Sequence, residues 1–316
     1  MIWLNNMIKN ECTIVMYHYI RNMHETDFPQ IKGRLIDDFR KQLDFISKNY
    51  TIISLKQYLE YLKGKGTISA KTCILTFDDG FKDHYTYVFP ELKKRNLPAT
   101  FYVCTQPLIE KTVLPVHKVH FLLAKLGSEK LVQAYNELLK EKFPDEVEEF
   151  YVGNTKKKDE KYAWDNNLIA NLKVNAARMN YDMKLEIFGP LFSEHIGDEK
   201  TFSEQLYLNQ KEIKEMVKCG FEFGGHTATH PRLSSISKEE MVKEIKQSKD
   251  FFESKFGVHL SSFSYPYGDY NQAVKEITAL AGYENVTGTD VGINDSTSKI
   301  DLFNLKRLDT NNIPLE

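Results

Sequence analysis

Residues 72–80 read TCILTFDDG, a short apolar run that ends in two aspartates and a glycine. Nearly continuous apolar character over 72–77 is typical of a strand buried on both faces of a parallel sheet. Asp78 and Asp79 then emerge at the C-terminal end of that strand, where α/β barrels and open α/β sheets place their functional sites. Gly80 permits a sharp exit of the chain. The stretch therefore predicts an α/β fold with a carboxylate pair at a strand end.

The rest of the chain repeats this alternation of strand and helix. Four further runs are short, β-branched or aromatic, and nearly continuous in apolar character: 13–17, 99–104, 221–225 and 261–265. Helical patterns lie between the strands, at 35–50, 82–96, 209–220, 237–257 and 270–282. Such alternation indicates the α/β class, and we expect the strands to close into a barrel.

One segment interrupts the alternation. From about residue 106 to 200 the sequence has no convincing strand pattern and reads as a series of helices. We therefore expect a single barrel domain over 1–316 with 106–200 as a helical insertion within it. Two histidines of this insertion, His117 and His120, are three residues apart. We interpret them as surface or capping residues, although a lid could bring them over the site.

Composition and charge exclude several classes of protein. The chain has 316 residues, of which 41% are hydrophobic, enough to bury a large core. Its 42 Lys and Arg against 44 Asp and Glu give a formal net charge of −2, so no long-range field favours nucleic acid or an anionic surface. No stretch approaches the roughly 18 apolar residues of a membrane span, so none is expected.

Two features of the sequence predict a cytoplasmic protein. As written, the start, MIWLNNMIKNEC, lacks the apolar core of a signal peptide. The four cysteines, Cys12, Cys73, Cys104 and Cys219, show no CxxC spacing, and we interpret them as buried thiols rather than as a disulfide framework.

The adjacent aspartates have two interpretations. On a strand end, Asp78 and Asp79 point in different directions, which lets one bind a metal while the other stays free for proton transfer. A helix N-cap pair is the alternative, because Asp is common at strand-to-helix junctions. This segment alone does not decide between them.

The second motif is the stretch 225–231, which reads GHTATHP and follows a predicted strand. Histidines four apart on one helical turn project from the same face, so we expect His226 and His230 to reach a single ion. Together with an aspartate from another strand end, they form the kind of set that holds a catalytic Zn²⁺. Two buried histidines without a metal remain the alternative.

The third motif, Phe263 to Gly268, reads FSYPYG and again follows a predicted strand. Proline fixes the backbone and glycine allows a tight turn, so the Tyr267 amide could face a cavity as an oxyanion donor. An ordinary turn has the same residues.

Taken in order, TFDDG, HTATH and SYPYG resemble the motifs of the polysaccharide deacetylase superfamily, carbohydrate esterase family 4. The resemblance covers about 13–104 and 205–310. It implies a distorted (β/α) barrel of about seven strands and metal-dependent removal of acyl groups from sugars. By position it implies these roles: Asp78 as catalytic base, Asp79, His226 and His230 as metal ligands, and the Tyr267 amide as oxyanion donor.

Two positions depart from the family pattern. The third motif usually begins with an arginine that steadies the base, but here Ser264 stands there. Arg232 and Arg307 are the candidates to replace it, and we favour Arg307. Many members also carry a C-terminal Leu-x-His whose histidine acts as general acid, and this chain has no histidine after His259.

The first predicted strand offers a substitute for that acid. It ends in Tyr17-His18, which resembles a circularly permuted branch of the superfamily in which the acid-bearing strand comes first. His18 is then the predicted general acid. A histidine packed beside Tyr17 for structural reasons is the alternative.

The function expected from these observations is metal-dependent removal of an N-acyl group, acetyl above all, from a sugar. Zinc is the expected cofactor, with cobalt or nickel as alternatives, and the substrate would be a lipid-linked sugar, a nucleotide-linked sugar or an oligosaccharide. Two alternatives stay open. One is a related metal-dependent amidohydrolase acting on a non-carbohydrate amide, and the other is a non-catalytic saccharide-binding protein.

Overall fold

A computed structural model describes residues 10–153, 165–295 and 299–315 of the chain. The prediction that the chain has no signal peptide was drawn from residues 1–12, and residues 1–9 lie outside the described part of the chain. Within the described part of the chain, no helix is long and apolar enough to cross a membrane.

Seven parallel strands form a closed barrel, which confirms the predicted fold class. They are β1 (Glu11–Tyr17), β3 (Lys71–Phe77), β4 (Thr100–Val103), β5 (Glu222–Gly225), β6 (Ser262–Ser264), β7 (Asn285–Val291) and β9 (Leu305–Asp309). Each pairs with the next in this order, and β1 closes the ring because it pairs with both β3 and β9. Two short strands, β2 (Thr51–Ile52) and β8 (Asn294–Asp295), pair with β3 and β1 from outside the ring.

Helices surround the barrel, as the 3.6-residue periodicity predicts. Those that connect barrel strands are α1 (Ile36–Asn49), α2 (Leu55–Leu62), α3 (Phe89–Arg95), α10 (Gln210–Lys218), α11 (Lys238–Val242), α12 (Ser248–Phe256) and α13 (Gln272–Leu280). Ser237 caps α11 through the capping box with Glu240 that its spacing suggests. Apart from α2, whose Leu55 and Tyr58 pack in a separate cluster with Ile74, these helices and the strands share one buried cluster that includes Leu43 and Phe223.

The described secondary structure between β4 and β5 consists of helices joined by short loops, apart from one isolated β-bridge at Tyr207. It contains α4 (Gln106–Glu110), α5 (Pro115–Lys142), α6 (Val147–Phe150), α7 (Asn167–Arg178), α8 (Tyr181–His195) and α9 (Glu199–Leu206). We call residues 106–206 the helical segment. It has its own buried cluster, formed by α5, α7 and α8 around Tyr135, Leu172 and Phe188.

A third apolar cluster joins the helical segment to the barrel. Phe81, which follows the DDG turn, packs against Tyr207 at the end of the segment, and the two residues also form a β-bridge. The backbone N–H of Leu208 donates to the carbonyl of Gly80 over 2.9 Å. The helical segment is therefore attached at the carboxyl ends of the strands, directly beside the aspartate pair.

Two strands and one cysteine differ from the sequence predictions. β7 and β9 were not predicted, because their sequences, NVTGTDV and LKRLD, carry polar side chains that point into the barrel. Arg307 and Thr287 are examples, and both are fully buried. Cys219 is exposed, so the prediction of four buried thiols is wrong for that residue, although the four cysteines are free as expected.

Candidate active site

A cavity of about 820 Å³ opens at the carboxyl ends of the barrel strands. It is lined from the barrel by Asp78, Asp79, His226, His230, His18 and Tyr267. The helical segment lines the opposite wall with residues that include His117, His120 and Lys184. Parallel register explains part of this convergence: Tyr17 pairs with Phe77, so His18 and Asp78 leave neighbouring strands at the same level.

Three ligand-type atoms converge on one point of this cavity. Asp79 Oδ1 lies 3.3 Å from His226 Nε2 and 3.5 Å from His230 Nε2, and all three side chains are buried. His226 Nδ1 donates to the carbonyl of Ser264 over 2.7 Å, which leaves the lone pair on Nε2. Among the described residues, Asp79 Oδ1 has no hydrogen-bond partner. A buried carboxylate oxygen without a donor, facing two imidazole nitrogens, fits a divalent cation such as zinc.

The two histidines reach this point by a route that differs from the predicted helical turn. Residues 226–230 form an irregular loop in which Thr227 and His230 have positive φ values of 66° and 60°. Thr227 Oγ1 accepts from the His230 amide, and the Glu244 carboxylate accepts from the Ala228 and Thr229 amides. The prediction of one helical turn is therefore wrong, although the side chains converge as that prediction required.

Asp78 has a different environment from its neighbour Asp79. The two terminal nitrogens of the Arg307 guanidinium donate to its carboxylate, Nη1 over 2.9 Å to Oδ1 and Nη2 over 2.7 Å to Oδ2. Ser264 Oγ donates to Oδ2 over 3.2 Å and accepts from Arg307 over 3.0 Å. Burial would raise the pKa of Asp78, but the Arg307 guanidinium outweighs it and holds the pKa below its usual value.

Arg307 thus lies where the sequence analysis favoured it. The other candidate, Arg232, faces Asp269 instead, with 3.4 Å between its Nη2 and Oδ1 of that carboxylate. Ser264 is small enough to leave space for an arginine that arrives from β9 rather than from β6. The two residues together occupy the space beside Asp78.

The Tyr267 turn is held in an unusual backbone conformation. Tyr267 has φ 58° and Gly268 has φ 60°, both in the left-handed region. A Cβ atom on Gly268 would lie 1.9 Å from Thr289 Oγ1, so only glycine allows the turn to press this closely on β7. The Tyr267 ring packs at 4.7 Å from the His230 ring, which places this turn beside the three ligand-type side chains.

His18 lies half-buried at the cavity wall. Its carbonyl oxygen accepts from His84 Nε2 over 2.9 Å. The His84 side chain is itself fully buried. Burial lowers the pKa of His84 to about 4, so its imidazole is neutral and supports the His18 backbone by donating one proton.

His117 lies at the site, which corresponds to the alternative in which the helical insertion brings it over the strand ends. Its Nε2 lies 3.2 Å from Asp79 Oδ2 and its Nδ1 lies 2.6 Å from the Tyr207 hydroxyl, and only 1% of its side chain is exposed. Burial favours the protonated form of Asp79, but the contact with His117 outweighs it and holds the pKa of Asp79 well below its usual value. The interpretation of His117 as a surface or capping residue is wrong. Its helical spacing to His120 was the one signal available.

Comparison with known proteins identifies the family. The sequence matches a model described as polysaccharide deacetylase over residues 65–151 and 180–286, which is more than half of the chain. This chain belongs to the polysaccharide deacetylase family. The matched ranges include much of the helical segment, whereas the resemblance drawn from motifs stopped at residue 104 and resumed at 205.

Individual relatives resemble shorter parts of the chain. A putative polysaccharide deacetylase of Bacillus subtilis is 29% identical over 112 residues, which are 35% of this chain and 37% of that protein. A poly-β-1,6-N-acetyl-D-glucosamine N-deacetylase of Staphylococcus aureus is 28% identical over 108 residues, or 31% of this chain and 37% of that one. The chain thus matches little more than a third of the length of these relatives.

Solved structures share the fold over almost the whole chain. The deacetylase PplD of Streptococcus pyogenes, in complex with acetate, superposes with a TM-score of 0.58 at 20% identity, covering 95% of this chain and 92% of that one. IcaB from Ammonifex degensii gives 0.57 at 16% identity, covering 95% and 91%. These likenesses show that the barrel and helical segment together form an arrangement found in solved deacetylase structures.

Proposed function

We propose that this protein is a divalent-metal-dependent N-deacetylase of saccharides. Family membership and the convergence of Asp79, His226 and His230 on one buried point support this proposal. The carrying observation is the buried Asp79 Oδ1, which faces two imidazole nitrogens and has no donor among the described residues. A buried carboxylate oxygen without a donor is unfavourable, and a cation held between it and the two imidazoles would compensate it.

Asp79, His226 and His230 would hold the cation, and zinc suits one oxygen and two nitrogen ligands best, with cobalt or nickel as alternatives. When bound, it supplies Lewis-acid stabilisation of negative charge on the acyl oxygen and acidifies water. The cavity beside these residues leaves room for water and substrate.

Asp78 is the proposed general base. Its lowered pKa keeps it ionised, so it can accept a proton from water as that water attacks the acyl carbon. Arg307 positions this base through two hydrogen bonds that fix the plane of the carboxylate. The same contacts lower the basicity of Asp78. Arg307 therefore fixes the orientation of the carboxylate and at the same time makes it a weaker base.

The remaining two roles concern charge and the leaving group. The backbone N–H of Tyr267 would donate to the oxyanion that forms on the acyl carbonyl, a contact typically worth a few kcal/mol. An amine leaves poorly unless it is protonated, and His18, on the wall next to Asp78, is the proposed proton donor. On this proposal β1 takes the place of the C-terminal acid-bearing strand of other members, as the predicted circular permutation requires.

The proposed substrate is an N-acetylated sugar carried on a lipid or a nucleotide, or a short oligosaccharide, acted on in the cytoplasm. The helical segment supports this choice because it forms one wall of the cavity and restricts access to the strand ends. Free cysteines agree with a reducing compartment. We further propose that 106–200 is an insertion within a single domain rather than a separate unit.

Acetate release tests the activity. Metal-stripped protein reloaded with Zn²⁺, Co²⁺ or Ni²⁺ is incubated with N-acetylglucosamine oligomers, UDP-N-acetylglucosamine and a lipid-linked N-acetyl sugar, and acetate and amino sugar are quantified. We expect equimolar products from at least one of them. Release of amine only from non-carbohydrate amides would support the amidohydrolase alternative, and binding without any product would support the non-catalytic one.

The role of His18 needs a comparison of leaving groups. His18→Ala should lower kcat strongly for the N-acetyl sugar and much less for an activated acetate ester, since a good leaving group needs no proton. Metal content should be unchanged. Equal losses on both substrates would leave His18 without the acid role.

A further inference from the structure

Of the buried lysines in the part of the chain that the structure describes, all but one have a carboxylate partner. Among the described residues, Lys118, Lys184 and Lys249 are buried. Lys118 lies 2.8 Å from Glu199 and Lys249 lies 2.8 Å from Glu253. Lys184, on α8, is 8% exposed, and its one described hydrogen bond is a long one, 3.5 Å to the carbonyl of Ala177. A buried ammonium without a counter-charge is costly, so its retention calls for an explanation.

The place of Lys184 in the molecule supplies that explanation. It lines the same cavity as Asp78 and His226, and so does Arg232. Burial, together with the positive charge of Arg232, lowers the pKa of Lys184 to about 8. The charge of Arg232 is paired with that of Asp269, with 3.4 Å between Nη2 and Oδ1. Two cations from different parts of the chain thus face one region of the cavity wall.

The other charged groups of this wall have contacts of their own or are exposed, and among the described residues none of them forms an ion pair with Lys184. Two further cations, Lys173 and Arg178, already have partners in Asp165 and Glu149. Of the acids, Glu244 accepts three hydrogen bonds from Ala228 and Thr229, and Glu240 caps α11. Glu110 accepts from Gln106 and, like Asp182, is exposed.

We propose that Lys184 and Arg232 form a subsite for a phosphoryl group of the substrate. Two cations that line the same cavity match the charge of a phosphate, and their donors suit its oxygens. This inference deepens the proposed function: it selects phosphorylated, lipid-diphosphate-linked or nucleotide-linked N-acetyl sugars over neutral oligosaccharides.

Binding of inorganic pyrophosphate tests the subsite without any turnover. Calorimetric titration of the chelator-treated protein compares the wild type with Lys184→Met, which keeps the side-chain volume and removes the charge. Lys214→Met, at an exposed position of α10, is the matched control. We expect roughly 10–100-fold weaker binding in Lys184→Met, as for loss of a charged hydrogen bond, and wild-type binding in the control. Equal binding in the two variants, or none in the wild type, would overturn the subsite.

A second readout identifies the source of the phosphoryl group. Ratios of kcat/KM for UDP-N-acetylglucosamine, a lipid-diphosphate-linked N-acetyl sugar and a neutral oligomer are compared in the wild type and in Lys184→Met. The preference for a phosphorylated substrate should fall about 10-fold or more in the variant. If no substrate releases acetate, the proposed activity fails, while the pyrophosphate titration still decides the subsite.

An independent observation concerns His117, which the helical segment brings to Asp79. Its hydrogen bonds form a directed chain. The Leu114 amide donates to the Tyr207 oxygen over 3.1 Å, and an ionised Asp79 can only accept from His117. Nε2 of His117 therefore carries a proton, and in the neutral imidazole Nδ1 accepts from the Tyr207 hydroxyl at 2.6 Å.

This hydrogen-bond arrangement assigns His117 a role other than metal ligation. With its Nε2 protonated, the imidazole has no lone pair to offer towards Asp79. We infer that His117 is a positioning residue: it holds Asp79 Oδ2 so that Oδ1 is directed at the point shared with His226 and His230. Asp79 has φ 74°, an unfavourable conformation that an outside contact helps to maintain. Partners of this kind are typically worth 10–100-fold in metal affinity.

Zinc affinity, measured by competition with a chromophoric chelator, tests this role. His117→Ala should bind Zn²⁺ about 10–100-fold more weakly, and His117→Gln, whose amide nitrogen can donate to Asp79, should recover part of the loss. The absorption spectrum of bound Co²⁺ should shift in the alanine variant and return towards wild type in the glutamine variant. His24→Ala, at an exposed position, is the control.

Tyr207→Phe keeps the inference testable if His117→Ala does not fold. It removes only the hydroxyl that fixes the His117 tautomer, so a loss of several-fold in zinc affinity is expected. Wild-type zinc affinity and an unchanged Co²⁺ spectrum in both His117 variants would overturn the positioning role.

Discussion

The barrel and the helical segment contribute to the same cavity in different ways. Barrel residues such as Asp78 and His226 follow directly from strand ends, and neighbouring strands hold them in place: Arg307 of β9 fixes Asp78, and the Ser264 carbonyl of β6 fixes His226. His117 and Lys184 of the helical segment instead reach the cavity from the sides of long helices. In the roles proposed above, strand ends supply the reacting groups, whereas helices supply a residue that positions Asp79 and a cation that would bind the substrate.

The largest difference between the two regions should appear when a ligand-type histidine is removed. We expect His226→Ala to lose stoichiometric zinc and all measurable acetate release. The loss of zinc affinity should exceed the 10–100-fold weakening expected for His117→Ala. Metal analysis and acetate assays check this. His259→Ala, at an exposed side chain, is the control. Retention of one zinc per chain in His226→Ala would remove this residue from the ligand set.

Next in size is the effect of the proposed base. Asp78→Asn should keep the metal and lose about 10²–10⁴-fold in kcat, because an amide cannot accept the proton. Parallel measurements of metal content and kcat separate this from the effect of His226→Ala. A rate near that of wild type would show that the barrel places its base elsewhere.

Removal of the partner of that base should act on stability. Arg307→Met leaves Asp78 buried without its counter-charge, which typically costs about 3–5 kcal/mol of unfolding free energy. Because the folded-state pKa of Asp78 is lowered, its contribution is present above its unfolded pKa and is lost as the pH falls through the folded value. Urea unfolding at pH 7 and pH 3 should therefore show a smaller difference between variant and wild type at pH 3. A pH-independent difference would contradict this account.

The smallest predicted effect, of opposite sign, belongs to the helical segment. Lys184→Met should stabilise the free protein at pH 7, since it removes a buried charge. The difference between the ordinary pKa of 10.5 and the value of about 8 corresponds to roughly 3 kcal/mol as an upper bound. Between these two pH values the unfolded chain binds the proton and the folded one releases it, so wild-type stability rises and the gain shrinks. Urea unfolding at pH 7 and pH 10 checks the sign, and a destabilised variant would contradict it.

The same contrast explains what the sequence could predict. Five strands and the three motifs were evident because apolar runs and the residues after them are local features. Arg307 could be favoured only as an arginine available elsewhere, since its contact with Asp78 joins residues 229 positions apart. β7 and β9 were missed because polar residues inside a barrel erase the apolar pattern.

Two errors have a common physical origin. The HTATH loop was expected to be helical from its spacing, but Glu244 and Thr227 satisfy its amides in an irregular conformation. His117 was read as a surface or capping residue because a histidine on a helix gives no local sign of what packs against it. Both outcomes depend on tertiary contacts that single-sequence patterns do not contain.

Titration of metal-free protein with Zn²⁺, while acetate release from an N-acetylated substrate is followed, tests the central claim most directly. The account predicts that turnover rises in proportion to added zinc up to one equivalent per chain and then levels off, with Asp79→Asn inactive at the same additions. Acetate release that is already maximal without metal, or that does not follow the zinc added, would contradict it.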